Sequence, residues 1–382
     1  MNTAFVRDRQ LALGNGAAVA STEVDAVSKQ RSITVGVIGC GYWGAKHVRV
    51  LSGIDCVREL AVIDANRERC DAMLAAFPAA RAFQDLEAAL SHVDALIVAV
   101  PPRDHAAVAL RAIRSGKHVL VEKPLTTSAA DARMLICEAQ QANTILMVGH
   151  TFAFNPAVRE LRSRMDRQEL GDIYYMQSAR LNLGLYRSDV NVVWDLAPHD
   201  ISIFNYLLKS VPTSVCAWSS SHAAREVEDV AMIRLEYKER GVTGYIHVSW
   251  LEPKKVRRVT VVGSEKMAVY NDMTEESLRI FDRGVERTNG SVKQFERPVS
   301  YRYGDIISPH IPAQEPLGVE DRHFIDCVQY GRAPQTDGWE GLSVVAVLEA
   351  IDQSIRTGGP ANVNAQFDVK PVKADRRIAP VA

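Results

Sequence analysis

The stretch VWDLAPHDI, residues 193–201, sets Asp195 and His199 four positions apart, with Asp200 beside them, in an otherwise apolar run. On a helix, residues four apart share a face, so a carboxylate and an imidazole would project together. Such a pair serves acid–base chemistry, since imidazole titrates near neutrality, or ligates a metal, or braces a helix. The D-x-x-x-H spacing has no companion Cys pair or H-x-x-x-H set, so no metal is expected. Which role applies depends on what the remaining elements are built to hold.

The chain has 382 residues, too many for one ordinary core, which predicts two domains. With 45 basic and 46 acidic side chains the net charge is -1, which offers no field for a polyanion, so no nucleic-acid partner is expected. The cluster KKVRR (Lys254 to Arg258) is too short to alter that. No window approaches the roughly 20 apolar residues of a membrane span. Six cysteines without CxxC spacing read as reduced thiols of a cytoplasmic protein. The N-terminus has a faint signal-peptide character that Gly14, Asn15 and Gly16 interrupt, so residues 1–32 read as a flexible tail.

From residue 33 the pattern changes. SITVGVIGCGYWGAKHVRVL opens with a strand, Ile33 to Ile38, apolar without alternation as in a buried parallel sheet. It runs into Gly39, Gly41 and Gly44, spaced G-x-G-x-x-G, and then a helical AKHVRVLSG. LAVID forms a second strand ending at Asp64, twenty residues after Gly44. In that context the glycines are a dinucleotide fingerprint: Gly39 for the tight turn, Gly41 for approach of the pyrophosphate, Gly44 for helix packing. Asp64 would bind the ribose diol and repel a 2′-phosphate, so the expected cofactor is NAD. Arg67 leaves open an adenine or 2′-phosphate contact, against an ordinary exposed helix arginine. Further strands end at Pro101, at Glu122-Lys123-Pro124 and at His150, separated by helices, one of them capped by Asp104. That alternation describes a doubly wound parallel sheet, whose ligands lie beyond the carboxyl ends of its strands. Tyr42, Trp43, Pro101, His105, Glu122 and Lys123 are expected to join Gly39, Gly41, Gly44, Asp64 and Arg67 around the cofactor.

The segments VIGCGYWG, VEKPL, VGHTFAFNP and WDLAPHDI, in that order, resemble the glucose-fructose oxidoreductase, inositol dehydrogenase and MocA (Gfo/Idh/MocA) family over roughly residues 33–358. The resemblance implies an α/β protein: a Rossmann domain, 33–152, followed by an α+β substrate and oligomerisation domain, 153–360, on a large, mostly antiparallel open sheet. Beyond it, 361–382 reads as a C-terminal tail. Runs rich in Val, Ile, Tyr and Thr from IYYMQSARLNLG to KMAVYND fit such a meander, with GSEK as a hairpin link. It also implies a catalytic trio, Lys123, Asp195 and His199, a cis Lys123–Pro124 bond, and a homodimer or homotetramer. Oxidation of a secondary alcohol removes a hydroxyl proton while hydride leaves the same carbon. His199 or Lys123 would take the proton, Asp195 would orient substrate or histidine, and Asp200 would be structural.

Substrate identity rests on ARLNLGLYRSDVNVVW, with Arg180, Asn182, Tyr186, Arg187 and Asn191. Two arginines on a cleft loop suit anionic oxygen, as a UDP-linked sugar would present. The segment resembles family members of surface-polysaccharide biosynthesis, including UDP-N-acetylglucosamine and UDP-N-acetylglucosaminuronate 3-dehydrogenases, which oxidise the C3 hydroxyl. Expected substrate contacts are His150, Phe152, Asn155, Arg180, Asn182, Arg187, Asn191 and Trp194. Lys254, Lys255 and Arg257 would add phosphate contacts or remain solvated. Three alternatives stay open: a myo-inositol or free-sugar dehydrogenase, a ketosugar reductase using NADPH, which Asp64 opposes, and a non-catalytic NAD sensor.

Overall fold

The computed structural model describes residues 32–184, 186–187, 190–224, 226–287 and 299–364. The expected N-terminal tail up to residue 31, and the C-terminal tail from residue 365, lie outside the described residues.

Six strands make the first sheet: β1 (Ile33–Ile38), β2 (Val57–Ile63), β3 (Arg81–Phe83), β4 (Ala95–Val98), β5 (His118–Glu122) and β6 (Leu146–Gly149). They pair in parallel in the order β3-β2-β1-β4-β5-β6. The strand order reverses between β1 and β4, which places the ligand crevice beyond their carboxyl ends. Every residue of β1, β4, β5 and β6 is buried, which is why these runs lack alternation. Helices α1 (Tyr42–Leu51), α2 (Arg67–Ala76), α3 (Leu86–Leu90), α4 (Pro102–Arg114) and α5 (Ala129–Gln141) provide the connections. The α4 cap is corrected here: Pro101 is the N-cap and Pro102 the first helical residue, with Asp104 inside the first turn. Proline suits that position because its missing N–H would be unpaired anyway. Gly116, at φ +72°, follows the helix end.

A 3-10 turn over Thr151–Phe154 leads to α6 (Pro156–Asp166), β7 (Ile173–Leu181) and α7 (Val192–Leu208). A meander follows: β8 (Ser214–Ser220), β9 (Val230–Tyr237), β10 (Val242–Ser249), β11 (Val256–Gly263), β12 (Met267–Asn271), β13 (Leu278–Arg287) and β14 (Val299–Ile307). The chain ends in α8 (Pro316–Tyr330), α9 (Gly338–Thr357) and β15 (Ala361–Asn362). Among the described residues the second sheet runs β14-β13-β12-β11-β7-β10-β9-β8-β15, antiparallel except for the β7/β10 pair. GSEK is the β11/β12 turn, closed by Gly263 N–H donating to the Lys266 carbonyl at 3.0 Å. Along β9 buried and exposed residues alternate, so one face meets α7 and α9 while the other presents Trp218, Met232 and Tyr245 outward. The strands β13 and β14 have no counterpart in the sequence expectation, because LRIFDRGVER carries adjacent charges that break any alternation and VSYRYGDII, none of whose residues is buried, shows no apolar period.

The last two helices pack against both sheets. Phe324 and Ile325 of α8 are buried with Ile33, Val35 and Val37 of β1. Leu342 and Val345 of α9 join Val119, Val121 and Val148 of the first sheet, whereas Val344, Val347 and Ile351 join the core of the second. Phe324→Ala should therefore destabilise the nucleotide-binding half by about 3–5 kcal/mol, read as a lower urea midpoint; a change within half a kcal/mol would show that α8 is peripheral.

Candidate active site

The fingerprint glycines each have a steric reason. Gly39 has φ +91°, and a Cβ there would lie 2.6 Å from the Ala99 carbonyl oxygen. A Cβ on Gly44 would lie 1.9 Å from the Gly39 oxygen, whereas one on Gly41 would meet nothing within 4 Å. The middle glycine thus borders open space at the N-terminus of α1, where no side chain caps the free amides, an arrangement suited to a pyrophosphate. A cleft of about 640 Å³ extends from Gly39 and Gly41 past Tyr42, Trp43, Asp64 and Pro101 to Glu122, Lys123 and Arg187. Asp64 follows β2, its carboxylate accepting from the amides of Cys40 and Asn66, each at 2.8 Å. The residues fit a dinucleotide: a glycine cradle, a carboxylate at the ribose position and an open helix terminus.

Arg67 is misplaced for that role. As the first residue of α2 it points to solvent and pairs with Asp71 at 3.8 Å. Two residues on, and so on the opposite side of the helix, Arg69 lines the cleft and stands 3.5 Å from Asp64. His105 borders the cleft but is buried, its ring nitrogens 2.8 and 2.9 Å from the carbonyls of Pro124 and Val100. It braces the turn after β5, where the Lys123–Pro124 peptide is cis.

Lys123, Asp195 and His199 converge on a second cavity of about 380 Å³, next to the first and sharing Trp43 and Lys123 with it. Its volume lies within the roughly 300–1,000 Å³ of small-molecule sites. β5 delivers Lys123, whose Nζ donates to the Asp195 carbonyl oxygen at 2.9 Å and stands 3.9 Å from its carboxylate. Asn191 caps α7, accepting from the Trp194 amide at 3.0 Å, and so sets the helix rotation that turns Asp195 and His199 inward. The Asp195 carboxylate accepts from the Trp250 indole N–H at 3.1 Å and from Arg187 at 3.5 Å. The His199 ring meets Phe152 edge-on, with centroids 5.1 Å apart, and its buried Nδ1 has no protein partner among the described residues.

Burial pushes Lys123 below the ordinary lysine range, against the opposing pull of Asp195 and Glu122. It pushes His199 well below the ordinary histidine range, and the charges of Lys123 and Arg180 act in the same direction. The site therefore holds a neutral imidazole beside a lysine whose charged form burial disfavours, a setting suited to proton transfer at a substrate hydroxyl.

Other expected contacts have different surroundings. Arg180 lies on β7, not on a loop, and its guanidinium is committed to Asp200 at 2.8 and 3.2 Å, both side chains buried. It borders the cavity through its stem and the face it lays over Phe152, 4.6 Å from the ring centre, and has no free fork for a phosphate. Trp194 donates its indole N–H to Asp352 at 2.8 Å and packs into the two cores, outside the cavity. Asn191 donates to Glu228 at 3.0 Å; with its cap oxygen also occupied, its role is structural. His150 is buried, its Nδ1 bonded to Glu340, and does not border the cavity. Phe152, Asn155 and Asn182 do border it, Asn155 also capping α6 and donating to the Tyr270 hydroxyl at 3.1 Å. Tyr186 donates to Asp229 at 2.8 Å and lies tilted against Trp250, ring centres 5.1 Å apart, anchoring the segment that carries Arg187. Sequence reasoning passed over Lys46 and Asp272, which line the rim, and Trp250, which holds Asp195. A lysine in the middle of α1 and a tryptophan after β10 carry no local signal of a site.

Comparison with known proteins identifies the family and the fold. Residues 33–150 match the oxidoreductase family with NAD-binding Rossmann fold, and residues 158–269 match the GFO/IDH/MocA C-terminal domain. The chain belongs to the Gfo/Idh/MocA family. It is 29% identical over 313 residues to a UDP-N-acetylglucosamine 3-dehydrogenase of Acidithiobacillus ferrooxidans, covering 81% of this chain and 93% of the relative. It is 27% identical over 335 residues to a D-apiose dehydrogenase of Paraburkholderia graminis, covering 84% and 87%. Its fold superposes with a TM-score of 0.72 on the WlbA dehydrogenase of Bordetella pertussis in complex with NADH and UDP-GlcNAcA, at 23% identity, covering 87% of this chain and 98% of that one. This Gfo/Idh/MocA protein is an NAD-binding oxidoreductase. No helix among the described residues is long and apolar enough to cross a membrane.

Two outcomes follow for the Gfo/Idh/MocA site. Replacing Asp64 by Ala should weaken NAD binding at least about tenfold, roughly 1.4 kcal/mol, and narrow the preference over NADP, read by fluorescence titration with both cofactors. Unchanged discrimination would assign the choice to Arg69 instead. His199 has a folded-state pKa below its unfolded value of 6.5, so the unfolded chain binds the extra proton and stability falls as pH drops through that value. His199→Gln should lose less thermal midpoint than the parent between pH 7 and pH 5; parallel losses would contradict a buried neutral histidine.

Proposed function

We propose that the protein oxidises a secondary hydroxyl, that of C3, on a nucleotide sugar of the UDP-N-acetylglucosamine or UDP-N-acetylglucosaminuronate class, producing a ketone. The observation that carries this reading is the make-up of the second cavity. Lys123 and Trp43 border it on the side shared with the cofactor cleft, and His199, Lys46 and Arg257 also line it. Lys46 has Tyr42 and Trp43 as partners, its Nζ 4.2 and 4.7 Å from their ring centres, and no salt bridge to a carboxylate among the described residues. An ammonium over aromatic faces suits an anionic, ring-bearing ligand better than a plain polyol. Arg257 stands 3.1 Å from Asp272, and Lys255 next to it is exposed. Anion recognition falls to these residues and Arg187, since Arg180 is taken by Asp200.

NAD, when bound, accepts the hydride. The chain's own groups manage the proton. Lys123, lowered by burial, hydrogen-bonds the reacting oxygen, shares the transfer of its proton with the neutral ring of His199 and stabilises charge developing on it; Asp195 orients Lys123. Phe152 and Leu317 help line the cavity with apolar surface, which limits water around the reacting carbon. A free-sugar dehydrogenase is the second reading, favoured by the Arg180–Asp200 pair, which withdraws one of the two arginines expected to meet phosphate. We assign the exposed sheet face carrying Trp218, Met232 and Tyr245 to self-association, as a homodimer or homotetramer, and the protein to the cytoplasm.

The test is a mass-spectrometric assay with NAD and, separately, UDP-N-acetylglucosamine, UDP-N-acetylglucosaminuronate, myo-inositol and glucose, with and without 2-oxoglutarate. A keto nucleotide sugar is the expected product; oxidation of inositol or glucose alone would move the protein to the second reading. Lys123→Met and His199→Gln should each reduce turnover at least about 100-fold with NAD affinity retained. Turnover near the parent rate in both would remove the mechanism.

A further inference from the structure

Behind Lys123 lies a cluster that no step above uses. His47 sits on α1, one turn beyond the fingerprint, with its ring fully buried. Its Nε2 is 3.1 Å from Glu122 Oε1, and its Nδ1 is 2.9 and 3.1 Å from the two oxygens of Asp321 on α8. The other Glu122 oxygen accepts the backbone N–H of Lys123 at 3.1 Å. One carboxylate thus joins the imidazole to the amide of the lysine that enters the active site.

We propose that His47 is a positioning residue for Lys123: bridging Glu122 and Asp321, it fixes the Glu122 carboxylate and counterbalances its charge beside the lysine. Both ring nitrogens face carboxylate oxygens, and only an imidazolium donates from both. Burial opposes that charge, but Asp321 and Glu122 outweigh it and raise His47 well above its ordinary value. Glu122 is held below its ordinary range by the bond and charge of His47 despite burial. The remaining acid of the cluster, Glu320 of α8, takes the hydroxyl of Thr151 at 2.8 Å and is pushed well up by burial and by its acidic neighbours. Lys123 in turn faces Glu122 on its own strand, Asp195 and His199 on α7, Arg180 on β7, and Arg187 after β7. Without the imidazolium, Glu122 would present an uncompensated negative charge to the ammonium and hold its proton more tightly. The lysine would then be charged, and unable to accept a proton, over more of the working pH range.

The consequence for turnover rests on Lys123 transferring the proton, so the test reads the lysine without turnover. Competitive acylation with acetic anhydride across a pH series, followed by peptide mass spectrometry, reports the ionisation midpoint of Lys123 in the full-length protein. His47→Gln should raise that midpoint by about one pH unit, a tenfold smaller reactive fraction below it. The double variant His47→Gln with Glu122→Gln should return it toward the parent value. An unchanged midpoint in His47→Gln overturns the proposal, as does a rise that the second substitution leaves in place. If His47→Gln does not fold, NMR of the parent with labelled histidine decides: the His47 ring should remain imidazolium at pH values where an ordinary histidine is neutral, and a neutral ring there overturns it. If the midpoint moves as expected but the pH profile of kcat/KM does not follow it, the coupling stands and the proton-transfer role of Lys123 is what fails.

Discussion

A lysine ammonium, 11% exposed, at the carboxyl end of β5 is the constraint from which the rest of the site follows. Burying a cation is costly unless charge and hydrogen bonds accompany it. Here Glu122 supports Lys123 from behind and Asp195 from across the cleft. Those carboxylates are in turn supported, Glu122 by His47, and Asp195 by Trp250 and Arg187. The partners come from α1, β5, α7, the end of β10 and, through Asp321, α8. A site assembled this way requires both sheets and the returning C-terminal helices to be folded together, which accounts for α8 and α9 packing into cores that begin 200 residues and more before them.

How much of this the sequence discloses depends on the range of the interaction. The glycine fingerprint and Asp64 are legible because turn sterics and a strand end act within about thirty residues. The buried strands of the first sheet are legible for the same reason, their apolar runs being local. The Asp195/His199 spacing announces a shared helix face, but that the face opens onto Lys123 is known from resemblance, since 72 residues separate the lysine from Asp195. Arg180 shows the limit most clearly. Its type and neighbourhood suggest an anion site, yet strand geometry delivers it to Asp200, twenty residues on. Arg67 and Arg69 differ only in which side of α2 they occupy, and no pattern weak enough to be fitted by ten residues separates them. The strands β13 and β14 escape notice because their charged faces lack a hydrophobic period, and His47 because its partner Asp321 is 274 residues away.

Division of labour in the site follows from these contacts. In the proposed reading, cofactor selection would lie with Asp64 and Arg69, proton management with Lys123, His199 and the carboxylates around them, and substrate choice with a rim of Trp43, Lys46, Asn182 and Arg257 that differs in origin from the floor of the cavity. Such a rim can change its ligand without disturbing the floor, consistent with relatives of similar identity that act on a nucleotide sugar in one case and on apiose in another.

The central claim is that Lys123 and His199 act on the C3 hydroxyl of a nucleotide sugar facing the cofactor. A crystal structure with NAD and UDP-N-acetylglucosamine bound tests it most directly. The account predicts that hydroxyl at about 2.6–3.2 Å from both the Lys123 Nζ and a ring nitrogen of His199, with C3 turned toward the nicotinamide and the diphosphate near Lys46 and Arg257. A sugar seated with C3 away from both side chains, or a diphosphate directed to another face of the protein, would contradict it.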